Sequence, residues 1–223
     1  MSHLDIELQT LKKETLAMWK LVKLQLEKSQ HALITFDKNL AREVVANEKR
    51  VNAYELKIDR DCENIFALFN PVAVDLRFVL AVLKINSNLE RIGDITEGVC
   101  RFIVDVDHNF DQDLIKSSRI LQMFETAVNM LTDVADAFEN EDSKLARTTF
   151  EKDEILDAIN EKASHGIVDY IIKNQEQGRH ALHVLSMIRK LERVGDQIKN
   201  ISEEIIFYIE AKVLKHKSDR ERK

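Results

Sequence analysis

The chain is 223 residues long, 44% hydrophobic and 32% charged, with 33 Lys and Arg against 39 Asp and Glu for a net charge of −6. It holds five glycines and one proline, where an average chain of this length has roughly 27 of the two; strand-rich folds and Gly-rich nucleotide loops need those residues at their turns, so the composition excludes them and points to a few long helices. Balanced charge argues against disorder, the acidic sum against a general nucleic-acid binder, and a content of two cysteines, Cys62 and Cys100, against a disulfide framework.

No basic segment followed by an apolar one stands at the start, so no signal peptide is expected. The longest apolar run, Phe78–Leu83, falls far short of the about 20 residues that span a bilayer. The expected location is cytoplasmic.

In chain order, helical spacing predicts a first helix over Leu4–Thr35, with Leu11, Met18, Val22 and Leu26 on one face. Asp37 is placed to cap a second over Lys38–Phe69. Asn70-Pro71 ends it and starts a third, running to Val106 with a stripe of Phe78, Val82, Ile85, Leu89, Ile92, Val99 and Val106. The polar stretch from Asp105 to Asp113 is the best boundary, dividing the chain into units at 1–109 and 110–215. Beyond it come predicted helices over Leu114–Glu139, Asp142–Lys173 and Arg179–Lys215, with Asn174–Gly178 as a turn and a basic flexible tail over 216–223. Trp19 reads as a core anchor, Cys62 and Cys100 as buried small hydrophobes, and His165, His180 and His183 as surface residues.

The two halves repeat. Asn88-Leu-Glu-Arg-Ile-Gly-Asp94 matches Lys190-Leu-Glu-Arg-Val-Gly-Asp196 at an offset of 102, and Glu48, Val51 and Asn52 fall on Asp153, Leu156 and Asp157 at an offset of 105. A tandem duplication of a three-helix unit follows.

Glu90 and Asp94, like Glu192 and Asp196, are four apart and share a helix face. They continue lines that are apolar one or two turns earlier, and each pair brackets a mid-helix glycine, Gly93 or Gly195, that costs about 1 kcal/mol relative to alanine. A buried carboxylate needs neutralising, by Arg and Lys or by a cation. The second helix of each half offers a facing row: Glu48, Asn52, Glu55 and Asp59, repeated as Asp153, Asp157, Asn160 and Ser164. Antiparallel packing would bring these rows against Glu90/Asp94 and Glu192/Asp196. An all-oxygen set suits hard cations, and the glycines would let the neighbouring backbone or a bound metal approach. Paired charges without any metal are the competing structural reading. No phosphate loop, nucleophile elbow or zinc-protease helix occurs, and no nucleophile or general base stands beside the acids, so no enzyme is expected.

The two Leu-Glu-Arg-Ile/Val-Gly-Asp segments, the duplicated unit and Asn70-Pro71-Val-Ala-Val-Asp75-Leu76-Arg77 resemble the PhoU family over essentially the whole chain. The resemblance implies an all-α, six-helix bundle of two pseudo-symmetric three-helix repeats. It implies metal binding (Fe, Zn, Mn or Mg) through Glu48, Asn52, Glu90 and Asp94 in one half and Asp153, Asp157, Glu192 and Asp196 in the other. It further implies a homodimeric negative regulator that couples a Pst phosphate ABC transporter to a PhoR-type sensor kinase, or serves a sodium–phosphate cotransporter, without nucleic acid and at the membrane only through partners. Asn52 departs from the family pattern as a neutral, weaker ligand. The turn at Asn174–Gly178 lacks the Pro and the Asp-Leu-Arg, keeping Arg179 alone.

Overall fold

A computed structural model of the protein describes residues 2–214; the expected tail at 216–223 lies outside the described residues. Among these there are seven α-helices and no strand: α1 (His3–Thr35), α2 (Lys38–Phe69), α3 (Ala73–Asp105), α4 (Gln112–Ser118), α5 (Ile120–Asn140), α6 (Ser143–Lys173) and α7 (Gly178–Glu210), with one 3-10 turn at Gln175–Gln177.

Polar side chains fix the starts. Ser2 and Asp5 form a reciprocal cap on α1. Asp37 Oδ1 accepts from the backbone N–H groups of Asn39 and Leu40 at 2.9 and 3.0 Å, and Asp142 Oδ1 accepts from Lys144 and Leu145 at the same distances. Asp37 and Asp142 are 105 residues apart, so the duplication extends to the caps of α2 and α6.

Three boundaries differ from the spacing. The fourth expected helix is two: Arg119 takes φ 57 and ends α4, while its carbonyl accepts from Gln122 N at 3.0 Å to open α5. One left-handed residue turns the chain without a Gly or Pro, so nothing in the spelling marks the break. The last helix stops at Glu210 on a left-handed Ala211 rather than at Lys215. Gly178 has ordinary helical dihedrals, so Asn174 and the 3-10 residues make that turn.

α1, α2 and α3 pack on one another, as do α5, α6 and α7, and the halves join through α3 against α7 and α1 against α5. Trp19 serves that junction: it is buried, donates from Nε1 to the Leu131 carbonyl at 3.0 Å, and lies 5.7 Å from the Phe138 ring. Gly98 serves it too, because a Cβ there would stand 2.6 Å from Lys190 Nζ. Asn88 and Asn200 approach to 3.5 Å. Each of these pairs maps onto the other at the offset of 102, so they are two copies of one contact about the pseudo-twofold. Cys62 and Cys100 are buried and free.

His180 corrects the sequence reading. It is buried, with its ring 4.2 Å from His108 and edge-on to Phe110. The polar linker after α3 folds back over the start of α7, where Arg179 also holds Asp105 at 2.7 Å, and linker residues supply a cover that helical spacing cannot show.

Candidate metal centre

Among the described residues, the flanking helices α2 and α6 touch the core through their own halves alone, so each acidic row lies in a seam: α2–α3 or α6–α7. In the first seam, Glu48, Glu90 and Asp94 come together, with one carboxylate oxygen from each within 4.8 Å of the others. Asp59 Oδ1 accepts from Asn86 Nδ2 at 2.9 Å farther along. Position 48 thus lies near 94 and position 59 near 86, which is antiparallel packing. Asn52 donates from Nδ2 to Glu48 Oε2 at 2.7 Å and so orients the central carboxylate; its own Oδ1 and Glu48 Oε1 have no hydrogen-bond partner.

Burial pushes Glu48 up to about 7, reinforced by the neighbouring Asp94 carboxylate and the charges of Glu90 and Glu97. Burial followed by Asp94 raises Glu90, and burial followed by Asp59 raises Glu55. An open groove of about 850 Å³ runs beside Glu48 between Arg42, Lys49, Glu97 and Arg101. Arg101 is taken by Glu97, at 2.5 Å.

The second seam is built from the same positions but balanced differently. Asp153 is 2% exposed, and Lys199 reaches it and Asp196 together, the latter at 2.9 Å. Burial pushes Asp153 up to about 6 against the opposing pull of Lys199. Burial and Asp196 raise Glu192. Burial works against the Lys199 ammonium, yet its bonds to Asp153 and Asp196 hold its pKa above the ordinary range. Asp157 lies exposed at the rim. Among the described residues, the second seam gathers no acidic triad like that of the first.

The glycines between the acids prove to be packing devices. A Cβ at 93 would stand 3.1 Å from Val51 Cγ1, and a Cβ at 195 would stand 2.5 Å from Leu156 Cδ1 and run into Asp153 Oδ1. What comes close is a side chain of α2 or α6, at the equivalent positions 51 and 156.

Two site residues escaped the sequence reading. Glu97 and Lys199 are equivalent at the offset of 102, three residues past the second acid and on its face, beyond the matching segments that end at Asp94 and Asp196. The first seam fits a hard cation. Glu48 Oε1 is buried without a partner, every converging group is an oxygen ligand, and Glu48, Glu90 and Asp94 would hold the ion, which would supply charge neutralisation across α2 and α3. The second does not fit one as it stands, because an ammonium already bridges its acids.

The model of the PhoU domain matches this chain twice, over residues 15–103 and 120–205. The chain is 33% identical over 212 residues to the phosphate-specific transport system accessory protein PhoU of Edwardsiella tarda, covering 95% of this chain and 86% of that one. It is 31% identical to the protein of the same name from Escherichia coli K12, covering 95% and 87%. The crystal structure of the phosphate transport system regulatory protein PhoU from Streptococcus pneumoniae superposes with a TM-score of 0.86 at 27% identity, covering 95% of this chain and 99% of that one. No helix among the described residues is long and apolar enough to cross a membrane. With both halves matched and the fold shared from end to end, the chain belongs to the PhoU family.

Proposed function

We propose that this protein is a cytoplasmic, homodimeric accessory regulator of phosphate uptake that restrains the phosphate-starvation response, relaying the state of a phosphate-specific transporter to a sensor kinase. The observation that carries this reading is end-to-end similarity, at about a third identity, to proteins named as accessories of the phosphate-specific transport system. The action is by docking rather than catalysis, through two repeats dividing near residue 109. Apolar side chains left at the helix turns support a partner-binding role: Leu68, Val72 and Val74 beside Pro71, and Val168, Ile172 and Leu182 at the matching end of the other half, are each more than half exposed.

A divalent or trivalent cation, Fe, Zn, Mn or Mg, belongs to the proposal. Glu48, Glu90 and Asp94 hold it, with Asn52 orienting Glu48. Neutralising three converging carboxylates would stiffen the α2–α3 seam and link metal supply to the shape offered to partners.

Deleting the gene in its host, with expression of phosphate-starvation genes measured in high phosphate, tests the reading. Derepression restored by the wild-type gene, and poorly restored by Glu48→Gln with Asp94→Asn, is expected. Unchanged expression on deletion would overturn the regulatory role, and full rescue by the double variant would remove metal from it.

A further inference from the structure

We infer that Lys199 is a built-in cation that takes the place of a metal ion in the second seam, so that of two duplicated acidic sites only the first responds to metal. The inference deepens the metal-binding reading above and rests on it.

The exchange of charge between the seams carries it. At one and the same position of the repeat the first half has Glu97, a further acid whose charge bears on Glu48, and the second half has Lys199. The facing row changes in the same sense on balance: Glu55 and Asp59 of α2 correspond to Asn160 and Ser164 of α6, while Asn52 corresponds to Asp157, leaving three acids in the first row and two in the second. The second seam therefore has fewer acids and an ammonium, while the first has three converging carboxylates. The Lys199 ammonium bridges Asp153 of α6 to Asp196 of α7, the job a metal would do between the equivalent Glu48 and Asp94. The remaining Asp153 oxygen, Oδ1, is buried without a hydrogen-bond partner and lies where a Cβ of residue 195 would stand. It faces the α7 backbone and offers no ligand to an entering ion. A divalent cation placed between Asp153 and Asp196 would also sit within a few ångströms of the ammonium, where like-charge repulsion is strong in a partly buried seam. The consequence is a division of labour: α6 and α7 stay clasped whatever the metal supply, and α2 and α3 do not.

Manganese content of the full chain, measured by elemental analysis after Mn²⁺ loading and desalting, tests this. Glu48→Gln with Asp94→Asn disables the first seam and should leave no bound Mn²⁺; adding Lys199→Gln to that pair should restore about one ion per chain through Asp153, Glu192 and Asp196. Mn²⁺ retained by the double variant while Lys199 is present would overturn the inference, and so would no gain on its removal. If Lys199→Gln fails to fold, a manganese anomalous difference map of the unmodified protein decides. Density between Asp153 and Asp196 overturns the inference, and density confined to the first seam supports it. Failure of the metal reading at the first seam shows separately, as unmodified protein that holds no Mn²⁺, whatever Lys199→Gln does.

Discussion

Glu48 exposes 9% of its surface and faces two other carboxylates, so its ionisation opposes folding whenever no cation is present. Below about pH 4.5 it is protonated folded and unfolded alike. As pH rises the unfolded chain ionises first, and the cost to the folded chain is complete above about 7. In the presence of chelator, this residue should therefore make the protein less stable at pH 8 than at pH 5.5. Glu48→Gln should flatten that slope and raise the melting temperature at pH 8 by about 2–4 °C, the equivalent of about 1 kcal/mol at this chain length; an unchanged slope would contradict it. The glycines give a sharper contrast. Gly195→Ala drives a Cβ into Asp153 and Leu156 and should cost about 1–3 kcal/mol as an overpacked contact. Gly166→Ala, with nothing within 4 Å of the added methyl, should add about 1 kcal/mol; denaturant unfolding of the two variants measures both signs. The pairing of glycine with acids was legible in the sequence, but its purpose was not. Helical spacing says which residues share a face, while the approach distance between two faces depends on the side chain opposite, here Val51 or Leu156.

Among the elements, the capped ends were the readable ones. A carboxylate placed to accept two backbone N–H groups leaves a local signature, so Asp37 and the start of α2 follow from the residues themselves. Asp37→Ala and Asp142→Ala remove equivalent caps and should each cost about 1 kcal/mol in chemical denaturation; a negligible effect at both would contradict the caps' contribution. The break at Arg119 and the end at Ala211 left no such trace, because each is made by a left-handed residue other than glycine. Burial of His180 was hidden for a related reason: its cover comes from His108 and Phe110 of the linker, which no helical period reaches. Lys199 was hidden differently, in plain view but one turn beyond the matched motif, where the two halves stop being alike.

At the scale of the whole molecule, two copies of one unit meet across α3 and α7, and each carries its acids in a seam on its outer side. Composition and duplication sufficed to foresee long helices in two like units, since five glycines and one proline permit little else; the pairing of the units across α3 and α7 was not legible. The seams differ most at one repeat position: an open oxygen cluster where Glu97 stands, a closed salt bridge where Lys199 stands. If Lys199 takes the place of a metal ion as proposed, the rigidity of α2 and α3 depends on metal and that of α6 and α7 does not. Hydrogen exchange of the full-length protein with and without Mn²⁺, followed by mass spectrometry, tests this division most directly. Slowed exchange around Glu48 in α2 and Asp94 in α3, with α6 and α7 unchanged, is the predicted result; equal protection of both seams, or of neither, would contradict it.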